Sequence, residues 1–348
     1  MSTTPIKING KVITLQKAIN NPLFGSKNVL TNSRWEFVEL WLKKEKKSEA
    51  LFYWIQAKEF NKATVGLSIQ ASPLLHYYSF MNAAKALLTS KTITFNHHHG
   101  VRAHTATARR KISLSNEGVE IKNHGILPSL SLFYNETETL RKHTLQQVFF
   151  NLPYIHRTYC LSYPSQKDMF IPLMECHFVK NNLTNETYLS AVLSHDFSNR
   201  YTLQKLPSSL ILDKIENGKY FIRSVNFITI NRPSNLSNAE KLDLLTFHKF
   251  LRKDLLYING SHTLWYAKST TNGPGIVARF PTTLTLAAMH RLSELCRYKP
   301  TELNSFLDSQ KNWLISEFIQ QSPDQFLDEI ASEITGYQFL QPNIRKAS

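Results

Sequence analysis

Cysteine is scarce. Cys160, Cys176 and Cys296 are the three in the chain, and no two stand at a C-x-x-C spacing. That excludes a disulfide framework and a thiolate zinc site, and it points to free thiols in a reducing cytoplasm. No apolar run approaches the ~18 residues of a membrane span, and the N-terminal stretch lacks the apolar centre of a secretory signal. GxSxG, HExxH and Rossmann fingerprints are missing, and Gly273-Pro274-Gly275 has no GK[ST] ending, so it is no phosphate loop. No internal repeat or low-complexity tract occurs. Acid is short in the first third: residues 1–112 carry 17 Lys and Arg against 5 Asp and Glu, a net of +12. Residues 301–348 reverse this, with 3 against 7.

What is present suits a folded protein. The 348 residues are 42% apolar and 19% charged, with a net charge of +15, ample for real cores and unlike a disordered chain. A basic surface at one end implies an anionic partner, a nucleic acid by default. The densest basic run, Lys43, Lys44, Lys46 and Lys47, has two readings: phosphate contacts, or the solvated tail of a helix favoured by its dipole.

Periodicity places helices at both ends of the chain. Ser33 and Glu36 form a capping box for a helix to about Lys47, a second covers 49–60, and Ser72-Pro73 opens a third over 72–89. These make an N-terminal bundle. The third helix is apolar over most of its circumference and thin along Ala83, Ala84 and Ala86. Its polar residues Asn82 and Lys85 either bond locally or face a cleft. A hairpin is predicted from Lys111–Ser115 and Gly118–Lys122, then a helix from Asn135 to just before Pro153. Phe170–Val179, Leu210–Leu212 and Tyr220–Ile230 read as strands with no helix of convincing length between them, hence an antiparallel sheet. A helix capped by Ser237 and Glu240 runs to about Tyr257, and His262–Ala267 is a strand. The chain ends in helices over 283–297, 311–320 and from Ser322-Pro323 to Gly336. The expected fold is therefore α+β: a helical bundle at the N-terminus, a small mostly antiparallel central sheet and a helical C-terminal layer. Its divisions are a lead-in (1–32), a helical region with an inserted hairpin (33–160), a central α+β region (161–270) and a C-terminal helical region (271–348).

The oddest composition follows the third helix. Residues 96–111 hold His97, His98, His99, Arg102, His104, Arg109, Arg110 and Lys111, with no acid between Glu59 and Glu117. Adjacent histidines diverge and lack a carboxylate or thiolate partner, so no metal is expected. Arginine forks and imidazole N–H groups suit phosphate instead, and His99 and His104 could supply an acid and a base. The other reading is a structural turn. His156-Arg157 is a second basic candidate. With Lys43, Lys44, Lys46, Lys47 and Lys85 these residues make the candidate nucleic-acid surface. No cofactor is implied and nothing specifies a reaction.

Several segments taken together resemble the YaaC-like family of bacterial proteins. They are Tyr77-Tyr-Ser-Phe-Met-Asn-Ala-Ala-Lys-Ala-Leu-Leu88, His99-Gly-Val101, Gly125-Ile-Leu, Leu152-Pro-Tyr-Ile-His-Arg157, Leu255-Leu-Tyr-Ile-Asn-Gly260 with Trp265-Tyr266, Leu292 to Tyr298, and two pieces of the tail before Gly336. The third helix and its His-Gly turn are also loosely similar to HEPN helical bundles, which include RNases of phage-defence systems and inactive binding modules. The HEPN nucleases place an Arg before a His by one or two helical turns. This chain has no such pair; Arg102-Ala-His104, Arg141-Lys-His143 and the reversed His290 and Arg297 come nearest. The expectation is a cytoplasmic protein binding nucleic acid, RNA before DNA, by analogy within a defence or stress system. The alternatives are a non-catalytic subunit docking a protein partner or a second copy, and a divergent, metal-independent RNase using His99, Arg102 and His104.

Overall fold

The computed structural model describes residues 3–107, 113–269, 275–308 and 312–342. In chain order its strands are β1 (Thr3–Pro5), β2 (Lys7–Ile8), β3 (Lys11–Val12), β4 (Val29–Leu30), β5 (Val101–Thr105), β6 (Glu117–Ile121), β7 (Lys142–Thr144), β8 (Phe170–Asn181), β9 (Glu186–Leu193), β10 (Leu210–Glu216), β11 (Lys219–Ser224), β12 (Ile228–Thr229), β13 (Leu255–Ile258), β14 (Leu264–Lys268) and β15 (Phe339–Leu340). Its helices are α1 (Arg34–Lys44), α2 (Ser48–Lys62), α3 (Ser72–Ser90), α4 (Ile126–Phe133), α5 (Leu145–Phe150), α6 (His156–Ser162), α7 (Arg200–Leu203), α8 (Asn238–Leu251), α9 (Pro281–Tyr298), α10 (Pro300–Leu307) and α11 (Asn312–Thr335). The protein is α+β as expected. It divides into a helical unit, 33–167 with 273–335, and a sheet unit, 1–32 with 168–272 and 336–348.

In the helical unit α3 lies against α2, α4, α9 and α11. Ala83, Ala84 and Ala86 are at most 2% exposed, and such small side chains let the neighbouring backbones close in. Phe80 stacks on Phe326 of α11 at 4.3 Å between ring centres, and the Ser79 hydroxyl donates to the Ala57 carbonyl of α2 at 2.8 Å. Trp54 is fully buried against Trp35, and its indole N–H donates to the Trp35 carbonyl at 3.0 Å. Helices apolar all round belong in a core, yet α9 and α11 also carry charge inward. Asp328 of α11, fully buried, is bonded by Arg34 at 3.0 Å, and Arg291 of α9 bonds Glu117 of β6.

Several local expectations are corrected here. Ser72 lies inside α3, and the cap position is Ala71. Of the expected first hairpin strand, Ser113 to Ser115 lie in a turn, and Lys111 and Ile112 lie outside the described residues. β6 pairs antiparallel with β5 and β7, because Ser113 to Asn116 close a turn onto the Ser113 carbonyl. No helix starts at Asn135. The Glu136 and Glu138 carboxylates accept from the backbone N–H groups of Phe280 and Ala278 at 2.7 and 2.9 Å, which holds the segment extended. Helix begins only at the Thr144–Gln147 capping box. The α8 helix stops at Leu251, and Leu255–Ile258 is a strand paired with β14. The two expected C-terminal helices are one, with Pro323 inside it. Proline costs a hydrogen bond there, but Phe318, Ile319, Phe326 and Ile330 are all buried and carry the helix through. Residues 270–274 of the expected loop lie outside the described residues.

The sheet unit is an antiparallel sheet in the order β10-β11-β9-β8-β14-β13, with β1 added on β8 and β12 on β9. The strand β9 was not expected; its alternation is hidden because nearly all of it is buried. Leu244, Phe247 and Leu251 of α8 join Ile171, Phe178 and Ile222 of the sheet in one apolar cluster. Lys17 is 2% exposed. Its ammonium donates to the Phe339 carbonyl at 2.6 Å and Asn259 Oδ1 at 2.9 Å.

Candidate nucleic-acid interface

The site is assembled within the helical unit from α3, the turn after it and the last turns of α9. Tyr77 and Tyr78 come from α3. Asn82 is satisfied within that helix, donating to the Tyr78 carbonyl at 2.9 Å, whereas Lys85 is half-buried beside the Tyr53 ring at 5.3 Å. His99 is presented by a fastened turn. The amides that open α4, of Ile126 and Leu127, donate to the His98 and His99 carbonyls at 2.9 and 3.2 Å. Gly100 and Gly125 meet back to back at φ 74° and 126°; a Cβ on Gly100 would lie 2.3 Å from Pro128 Cδ. Only glycine fits both the left-handed backbone and that approach.

On α9, His290, Glu294 and Arg297 follow each other at helical spacing and so share one face. His290 packs edge-on to Tyr77 at 5.0 Å and lies 5.5 Å from the His99 ring. The Tyr77 hydroxyl is 2.5 Å from His99 Nδ1. Burial raises the Tyr77 pKa, with the Tyr78 hydroxyl and Glu294 adding to it. The phenol therefore keeps its proton and shares a hydrogen bond with His99 Nδ1, which leaves Nε2 as the ring nitrogen free to meet another group. Arg297 reaches the Tyr78 hydroxyl at 3.4 Å and lies over the exposed Tyr298 ring at 4.7 Å. Tyr78 stacks on Phe60 at 5.3 Å.

Charge in this cluster is mixed: Lys85 and Arg297 are cations, and Glu294, on the α9 face it shares with Arg297, is a carboxylate whose pKa burial raises while Arg291 and Arg297 both hold it down. Burial lowers the His99 pKa first, and the Arg297 and Lys85 cations push it further down. The Lys85 pKa is lowered by burial. His290 falls to about 3, from burial first and then from His99, Arg291 and Arg297. Its Nδ1 has no hydrogen-bond partner, and Glu294 Oε2 stands 3.6 Å away. Among the described residues, no carboxylate comes within 4 Å of Lys85 or Arg297. Both histidine pKa values lie below the usual imidazole value, so both rings are neutral at pH 7.

Of the residues singled out in the sequence, the structure brings His99 and Lys85 into this cluster. Arg102 instead forks onto Glu120 across the β5–β6 pair at 2.9–3.1 Å. His104 lies further along β5, opposite Gly118. Lys43, Lys44 and Lys46 are exposed, Lys47 half-buried, all at the α1–α2 turn, with Lys43 on Glu39 at 2.7 Å. His156 is buried, its Nε2 3.3 Å from Cys160 Sγ, and Arg157 is exposed. Arg109, Arg110 and Lys111 lie outside the described residues. Tyr77, Tyr78, His290 and Arg297 were not among the predicted site residues. The signal for the last two was present, a His and an Arg two helical turns apart, but in the order opposite to the one sought.

A family model described as YaaC-like Protein matches residues 19–334, a span that contains every residue of the cluster. The chain belongs to the YaaC-like family. No curated protein and no solved structure matches it.

Proposed function

We propose that the protein binds nucleic acid, single-stranded RNA in preference to DNA, through the cluster formed by Lys85, His99 and Arg297. The observation that carries this is that Lys85 and Arg297 flank the His99 turn with no carboxylate within 4 Å of either among the described residues. Elsewhere in the helical unit Arg34, Arg102, Arg279 and Arg291 are each held by an acid. The half-buried Lys85 and the exposed Arg297 are the donors to an incoming phosphate, whose binding releases counterions. The aromatic component fits a single strand. Tyr298, 69% exposed under Arg297, offers a face on which a base stacks without regard to sequence.

The test is binding of a short labelled single-stranded RNA, and of the same sequence as DNA, across a salt series. The expected result is a steep linear fall of log K with log salt and at least a tenfold loss on Arg297→Gln or Lys85→Gln. Absence of binding at low salt, or binding indifferent to both substitutions, overturns the reading.

A further inference from the structure

A second site lies in the same unit, built from different residues. Between the end of β6, α4 and the segment leading into β7 is a cavity of ≈420 Å³, lined among others by Lys122, Pro128, Leu132, Thr139, Arg141 and Arg279. That volume is in the range of small-ligand sites.

The cavity is built on a rigid floor. Arg279 is 8% exposed, and the chain from 131 to 140 is wrapped around its guanidinium. One nitrogen donates to Ser131 Oγ at 2.9 Å and Glu136 Oε2 at 3.0 Å; the other donates to the Glu138 and Leu140 carbonyls at 3.3 and 3.2 Å. The one acid on the lining is already occupied. Glu138 accepts from the Leu140 and Ala278 amides at 2.8 and 2.9 Å, which hold its carboxyl below the usual range despite burial. Arg141 is different. Its side chain is exposed and engages no partner among the described residues. Opposite it, Leu132 is 74% exposed, a large apolar side chain left open at the rim above Pro128.

A fastened wall, a free guanidinium and an open apolar side chain define a ligand with two parts, while the Lys122 ammonium on the lining is already paired with Glu120 at 2.9 Å. One part is a phosphate for Arg141, since Arg offers paired donors to such a group. The other is a flat, weakly polar ring for Leu132 and Pro128. We infer that this cavity binds a nucleotide through its phosphate, either a free mononucleotide or the phosphorylated end of a chain. The inference does not rest on the Lys85–Arg297 reading, because the two sites share no residue.

The experiment is calorimetric titration of the full chain with nucleoside monophosphates, inorganic phosphate, and a short RNA with either a 5′-phosphate or a 5′-hydroxyl. The variants are Arg141→Ala, Leu132→Asp and, as the control on the other site, Arg297→Gln. Both cavity positions are exposed, and unchanged thermal melts confirm that the variants fold. The expected result is saturable mononucleotide binding, weakened at least tenfold by Arg141→Ala and by Leu132→Asp but unaltered by Arg297→Gln. A 5′-phosphate effect of similar size that disappears in Arg141→Ala, without mononucleotide binding, assigns the site to chain ends. Inorganic phosphate binding as tightly as the nucleotide overturns the inference. So do the absence of any phosphate-dependent binding and the indifference of both cavity variants.

Discussion

The two units satisfy their buried cations with different partners, backbone and amide oxygens in the sheet unit and carboxylates in the helical one. In the sheet unit Lys17 and Arg252 are sunk in the interior, and each is met in full. Lys17 has a carbonyl and an amide oxygen, and Arg252 donates to the carbonyls of Gln16, Lys17 and Leu255 while lying over the Tyr257 and Trp265 rings. Such cations are structural; removing one leaves carbonyls without donors. In the helical unit Arg34, Arg279 and Arg291 behave likewise, but Lys85 is half-buried, Arg297 is exposed, and neither has a carboxylate within 4 Å among the described residues. The difference separates charge that holds a fold together from charge the fold does not use.

Acid should divide the units most sharply. His76 and His290 in the helical unit are pushed down by burial to about 4 and about 3, and His248 in the sheet unit to about 3. A histidine depressed in the folded state contributes its full stability above the unfolded value near 6.5, and loses it as pH falls toward the folded value. Each contributes at most about 1.4 kcal/mol per pH unit in that window, and His143 and His99 of the helical unit are also lowered by burial, so the helical unit should lose stability faster than the sheet unit as pH falls. Hydrogen exchange between pH 6.5 and 4 should show α3 and α9 opening before β8 and β9; the reverse order would break the comparison.

Arg291→Ala comes next in size. Removing it strands Glu117 in the interior, a change that costs about 3–5 kcal/mol, read as a lowered denaturant midpoint. Lys17→Met should cost about 1–3 kcal/mol, for the unpaired Phe339 carbonyl, and leave RNA affinity untouched. Smallest in stability is Arg297→Gln, expected within about 0.5 kcal/mol of the parent while RNA binding falls about tenfold. If Lys17→Met weakened RNA binding and Arg297→Gln weakened only the fold, the two kinds of cation would have been assigned the wrong way round.

How much of this the sequence discloses follows from range. Signals carried by a few neighbouring residues were legible: Pro73 opening α3, the Ser237–Glu240 box at α8, the apolar stripe of α9. Where a local signal competed with a distant partner, the partner won. Glu136 and Glu138 resembled the acidic first turn of a helix until the amides of Phe280 and Ala278 claimed them. Glu36 was read as half of a capping box, yet its carboxylate lies against Lys58 at 2.5 Å and only the Ser33 hydroxyl caps. The site divides along the same line. His99 was conspicuous in its basic turn and Lys85 on its apolar helix. Arg102 looked as available as either, but the residue that neutralises it faces it across a strand pairing no local pattern predicted. Nothing near His99 could indicate that His290 and Arg297 complete its surroundings.

Each unit is drawn from separated lengths of chain, the helical one from two and the sheet one from three. During synthesis the nascent α3 and its histidine turn must therefore wait, apolar faces unmatched, while all of the intervening β segment is translated and α9 and α11 emerge. Until then the grouping of Lys85, His99, His290 and Arg297 is incomplete, and a chain cut short before α9 cannot assemble it.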